Sequence, residues 1–235
     1  MATFVLIPGA GGIAWYWHRV VPELTARGHD VVAVDLPADD DSAGLARYTD
    51  TVVEAIGERT NLVLVAQSMG AFTAPLVCER IPVEMLVLVN AMIPTPGESA
   101  GDWWESTGQA AAMRENAERI GLPSLSMDDM EALFGHDVPP EIWEAGAEHQ
   151  REQSGTPFGD PWPLEAWPDV PTRVLLSRDD RLFPADFQRG VARDRLGIVP
   201  DEMHGGHLVA LSRPIELAER LDAYDTRLVD AGPVS

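Results

Sequence analysis

The chain has 235 residues, 45% of them apolar and 23% charged, as expected of a globular protein forming one domain with room for an inserted subdomain. A formal net charge of −21 argues against nucleic acid or an anionic membrane as partner. The single cysteine, Cys78, excludes an intrachain disulfide and points to a reducing compartment, here the cytoplasm. Cys78 itself reads as a small core residue late in a helix. The chain opens directly on an apolar strand with no basic stretch before it, so no signal peptide is expected. No apolar run approaches the roughly 20 residues of a membrane span.

Thr3-Phe4-Val5-Leu6-Ile7 reads as the first strand. The loop Pro8-Gly9-Ala10-Gly11-Gly12 follows, and its glycines let backbone approach a ligand closely. Gly9-x-Gly11-x-x-Ala14, with Asp35 ending the second strand, is also a tolerated dinucleotide-binding pattern. Trp15, Tyr16 and Trp17 stand where that pattern needs a helix packed tightly on the strand, so no cofactor is expected. Strands are predicted at 30–35, 61–66, 85–89, 172–177 and 197–200. Between the second and third, Ser42 can cap a helix with the apolar stripe Leu45, Tyr48, Val52, Val53 and Ile56, ended by Gly57. Short β-branched runs alternating with helical patterns imply an α/β fold with a mostly parallel six-stranded sheet.

The third strand runs into Ala66-Gln67-Ser68-Met69-Gly70. A strand entering small-x-Ser-x-small and then a helix is the nucleophile-elbow pattern. The turn is so tight that the residues two before and two after the serine need little or no side chain. The strain lifts Ser68 Oγ to the N-terminus of the next helix, where amide dipoles favour negative charge. Pro75 lies inside that helix, where it removes one backbone hydrogen bond.

Residues 92–168 break the alternation. They show no strand pattern but hold Trp103, Trp104, Trp143, Trp162 and Trp167, five of the chain's seven tryptophans. Ser126-Met127-Asp128-Asp129 reads as a capping box opening a short helix with Met130 and Leu133. The expected organisation is a core of residues 1–91 and 169–235 with a helical cap of residues 92–168 inserted over the sheet's C-terminal edge, where ligands bind in open α/β sheets. The last helix carries Leu211, Ile215, Leu217, Leu221 and Tyr224, with Pro214 in its first turn.

A neutral serine needs a base within hydrogen-bond reach and an acid to orient that base. His207, in Met203-His204-Gly205-Gly206-His207-Leu208, follows the last strand and precedes the final helix. The chain order serine, acid, histidine favours it, and His204 competes. His204-x-x-His207 lacks further ligands at a metal-binding spacing, so no metal is expected. His29, in a helix-to-strand turn, reads as structural. Asp179 and Asp180 both follow the strand 173–177; Pro184, four residues after Asp180, can start the next helix, and Asp180 is chosen. An oxyanion site needs two backbone amides, assigned to Met69, after the nucleophile, and to Ala10 in the glycine-rich loop.

These residues resemble the α/β-hydrolase superfamily, and within it the small group of plant methylesterases and hydroxynitrile lyases. The resemblance is carried by Gly28-His29-Asp30-Val31 leading to Asp35-Leu36, by the elbow, by the run from Asp180 to Arg189, and by Gly206-His207-Leu208 before Pro214. It implies a cofactor-free serine hydrolase with Ser68, Asp180 and His207 as triad and Ala10 and Met69 as oxyanion donors. Three departures matter. Pro8 replaces the family's first-loop histidine, Ala66 replaces the elbow's first glycine, and Leu208 and Gly9 replace the lysine and threonine of hydroxynitrile lyases. The expected function is hydrolysis of a carboxylic ester, lactone or thioester of an apolar acyl or aromatic small molecule, by a monomer or homodimer. The alternatives are a C–C hydrolase or lyase on the same triad, or a weakly catalytic ligand-binding homologue.

Overall fold

The computed structural model describes residues 1–231, with side chains to residue 225. Six strands, β1 Thr3–Ile7, β2 Asp30–Ala33, β3 Leu62–Gln67, β4 Met85–Val89, β5 Thr172–Ser177 and β6 Asp201–Met203, form one sheet. Its order is β2-β1-β3-β4-β5-β6, and every neighbouring pair is parallel. β1, β3 and β4 are buried along their whole length, which is why they read as continuous apolar runs rather than alternating ones. One core packs Val5, Leu64 and Leu86 against Val52, Phe72 and Trp103. The other packs Phe4, Val63 and Val87 against Trp17, Leu217 and Leu221. Odd and even positions of one strand thus serve opposite faces.

Three strand ends and one strand position differ from the sequence reading, β3 running one residue later at both ends, Leu62–Gln67. β2 stops at Ala33, and Asn61 takes a left-handed φ of 55° just before β3. The last strand lies at Asp201–Met203, not 197–200. Gly197, at φ 67°, ends the preceding helix Ala185–Leu196, and Pro200 has no N–H for the ladder, so pairing starts one residue later.

Helix Leu45–Ile56 buries Leu45, Tyr48, Val52 and Ile56, and Gly57 closes it as expected. Ser42 does not cap it; its hydroxyl turns to Asp40. The amide of Leu45 is met instead by Asp160 Oδ2 at 2.8 Å, from 115 residues away. In the final helix Leu217, Leu221 and Tyr224 are buried, but Ile215 is 56% exposed.

Residues 90–171 connect β4 to β5 through helical pieces at Ala100–Ser106, Gln109–Arg119, Pro140–Gly146 and Thr156–Gly159. The capping box in this stretch is Ser99 with Asp102, not Ser126. At Ser126 the chain makes a turn, and the Asp129 carboxylate accepts the Ala132 amide at 3.0 Å, opening a single π-helical turn at Glu131–Gly135. Leu133 is buried, whereas Met130 is 53% exposed. Trp103 and Trp162 are core residues whose indole N–H groups donate to Ile93 and Phe72 carbonyls. Glu98 and Arg195, both largely buried, form an ion pair that fastens this connection to helix Ala185–Leu196. Among the described residues, no helix is long and apolar enough to cross a membrane.

Candidate active site

Ser68 follows β3, Asp180 follows β5 and His207 follows β6, so the parallel sheet delivers all three to its C-terminal edge. Ser68 has φ 51°, a left-handed conformation costly for a residue with a side chain. The surrounding backbone holds it: its amide donates to Val89 O at 3.1 Å, and its carbonyl accepts from Ala71 and Met92. The steric demand on the elbow is explicit. A Cβ on Gly70 would lie 2.6 Å from Pro8 O and 3.0 Å from Ile7 O. A Cβ on Gly9 would lie 2.9 Å from that of Ser68, so the glycine-rich loop rests directly against the elbow.

Asp180 and His207 form a buried pair. His207 Nδ1 lies 2.8 Å from Asp180 Oδ2, with side-chain exposures of 3% and 0%. The other carboxylate oxygen accepts the amides of Leu182 and Phe183, each at 2.9 Å. Three donors thus satisfy a carboxylate that burial would otherwise penalise. Asn90, at φ 45° after β4, donates to Ser177 Oγ at 3.0 Å and to the carbonyl of His207 at 3.2 Å. Phe183 meets the imidazole edge-on at 4.9 Å and Phe134 at 5.4 Å. The competing residues lie elsewhere: His204 is 62% exposed and 3.6 Å from Asp179. His29 is buried, with Asp222 at 2.9 Å and the Ala2 amide at 3.2 Å.

Ser68 and His207 line one cavity of about 530 Å³. Among the described residues no hydrogen bond joins Ser68 Oγ to His207. His207 Nε2 instead faces Gln67 Nε2 at 3.1 Å. In the neutral tautomer whose Nδ1–H donates to Asp180, Nε2 carries the lone pair and accepts from the Gln67 amide. The amides of Ala10 and Met69 have no acceptor among the described residues and border the same cavity. The Ala10 loop is steadied by the Gly11 amide donating to Gln153 Oε1 at 2.9 Å. Asp35 accepts the Ala14 amide at 2.8 Å, and residues 14–17 form only a short 3₁₀ turn where the rival dinucleotide pattern needs a helix packed on the strand.

The cavity wall is mostly apolar. Trp104, Met127, Met130, Phe134 and Trp143 come from residues 92–168, and Met69, Leu182 and Leu208 from the rest of the chain. Tyr16 also lines it, its phenol pushed up by burial. Cys78 stands apart, its thiol pushed up to about 12 by burial, which removes it as a nucleophile at neutral pH. Sequence reasoning missed Gln67, Asn90 and Gln153. Only Gln67 carried a signal, by adjoining the nucleophile.

Residues 4–220 match the alpha/beta hydrolase family, and the chain belongs to it. Polyneuridine aldehyde esterase from Rauvolfia serpentina is 32% identical over 258 residues, covering 93% of each chain. Alpha-hydroxynitrile lyase from Arabidopsis thaliana is 25% identical over 249 residues, covering 95% of this chain and 96% of that protein. A solved pyrethroid hydrolase from Sphingobium faniae JZ-2 shares the fold, with a TM-score of 0.77 at 23% identity over 96% of this chain and 97% of its own. The alpha/beta hydrolase family is the one that the sequence resemblance implied.

Proposed function

We propose that the protein cleaves carboxylic esters of apolar small molecules through an acyl-enzyme, with Ser68 as nucleophile, His207 as base and Asp180 as its orienting acid. The buried 2.8 Å contact of His207 Nδ1 with Asp180, opening onto the cavity that Ser68 lines, is the observation that carries this reading. Substrate binding exchanges the Gln67 contact of Nε2 for the serine hydroxyl; catalytic hydrogen bonds often tighten only with substrate present. Nε2 then takes the hydroxyl proton as Oγ attacks the carbonyl carbon. The amides of Ala10 and Met69 hold the oxyanion. His207 returns the proton to the departing alkoxide, activates a water on the acyl-enzyme, and the acid leaves.

Residues 92–168 act in this reading as a cap that supplies most of the apolar wall. The lysine-bearing lyase chemistry is set aside because Leu208 gives no cation to receive cyanide. The solitary cysteine supports a reducing, cytoplasmic setting, and a monomer or homodimer would serve equally.

Ser68→Ala is expected to lower turnover of small aryl esters by at least about a thousandfold. A variant keeping more than about a tenth of native turnover would refute the assignment. Across an acyl-chain series, each methylene accommodated by the apolar wall should raise kcat/KM about fourfold, from roughly 0.8 kcal/mol per buried CH₂. A flat series would remove the apolar-substrate part of the reading.

A further inference from the structure

One contact crosses from the β4–β5 connection to the loop carrying the base. Asp137 Oδ2 accepts the backbone amide of Gly206, the residue before His207, at 2.7 Å. The fit is close: a Cβ on Gly206 would lie 2.6 Å from Asp137 Oδ1 and 2.8 Å from His136 Nε2. Among the described residues, both of those atoms are buried without a hydrogen-bond partner. The His136 imidazole is held below its ordinary range by burial and by the Arg181 charge.

The segment leading to Asp137 is tied to the same pair from the other side. Arg181, next to Asp180, donates to Ala132 O at 2.7 Å, inside the π turn Glu131–Gly135. The same turn sets Phe134 edge-on against the imidazole. π turns are rare and concentrate at functional sites. Phe134 also lines the cavity, with Met130 just before the turn and Ile142 after it. One short stretch therefore touches the acid's neighbour, the base's neighbour, the base and the cavity.

We propose that Asp137 is a positioning residue for the catalytic base, holding the His207 loop from outside the sheet through the Gly206 amide. The proposal rests on the triad reading above. It makes the orientation of His207 depend on how the 131–138 stretch is seated, and so on what fills the cavity beside Phe134. A base displaced by about 1 Å loses about a hundredfold in rate, so a single amide clasp has leverage on kcat without touching substrate.

The test compares Asp137→Ala, Asp137→Asn and Gly206→Ala on an aryl ester, with thermal unfolding recorded for each. The asparagine keeps a carbonyl oxygen that can accept the Gly206 amide. The alanine at 206 keeps the amide but drives the carboxylate off with its Cβ. Asp137→Ala and Gly206→Ala should lose about 10- to 100-fold in kcat with KM within about threefold, and Asp137→Asn should recover most of that loss. Native kcat in a folded Asp137→Ala, a loss carried by KM alone, or an asparagine no better than alanine would each overturn the proposal. Should Asp137→Ala not fold, Gly206→Ala decides: lowered kcat supports the clasp and native kcat overturns it. Ser68→Ala is assayed alongside. Turnover surviving in that variant removes the triad reading itself, whereas an inactive Ser68→Ala beside a native-like Asp137→Ala removes only the clasp.

Discussion

Gln67 Nε2 stands 3.1 Å from His207 Nε2, on the ring nitrogen opposite the one that meets Asp180. In the proposed mechanism that nitrogen must accept the serine proton, so the Gln67 amide competes with Ser68 for one lone pair. A neutral hydrogen bond is worth about 1 kcal/mol net. Replacing the amide by a similarly sized thioether, Gln67→Met, should therefore speed fluorophosphonate labelling of Ser68 about fivefold. Slower labelling would show that the amide supports the base rather than occupying it.

The elbow tolerates almost no added volume. Gly70→Ala places a methyl 2.6 Å from Pro8 O and 3.0 Å from Ile7 O, and both neighbours are backbone. The glycine-rich loop must move, carrying the Ala10 amide with it. We expect a destabilisation of about 1–3 kcal/mol in chemical denaturation and at least a tenfold fall in kcat. Unchanged kcat would mean that the loop's pose does not matter for turnover.

Glu98 and Arg195 are 7% and 11% exposed. Burial alone would resist ionisation of Glu98, but hydrogen bonds from Arg195 and Ser106 outweigh it and hold the carboxyl below its ordinary range. Arg195→Met removes the partner charge and leaves a largely buried carboxylate held only by Ser106 and the Thr95 amide, at a cost of about 3 kcal/mol. Urea denaturation should show it, with activity retained well below the new melting temperature.

Glu202 gives the chain an acid-sensitive tie. Arg189 hydrogen-bonds one oxygen at 2.7 Å and Arg178 the other at 2.8 Å, and its carboxyl falls from 4.5 to about 2, chiefly through Arg189. The folded carboxyl releases its proton more readily than the unfolded one. The added stability is whole above pH 4.5 and fades as pH falls through about 2. Glu202→Gln should be less stable than the native protein near neutral pH, the gap closing on acidification. A gap that widens in acid would exclude this pairing as its source.

What the sequence revealed follows the range of the forces. The elbow was legible because its constraint is local: small residues at positions 66 and 70 answer to one tight turn, and Ser68 φ is 51°. The order of Ser68, Asp180 and His207 was legible because a parallel sheet brings its C-terminal loops to one edge. The choice of Ser42 as a helix cap failed because a carboxylate from position 160 took the amide, and no local pattern announces such a partner. The box expected at Ser126 lost to Asp129, three residues on. The Asp137 contact with Gly206 spans 69 residues and leaves no periodicity to find.

The reach of Asp160 across the chain bears on engineering. A Cβ on Gly44 would lie 2.1 Å from its Oδ2, so the acid fills a slot shaped for it at the head of helix Leu45–Ile56. Exchanging the region between β4 and β5 for that of another hydrolase, to alter selectivity, would strip this helix of its anchor. Chimeras retaining an acid at that place, or given a serine or aspartate at position 44, are the ones to build.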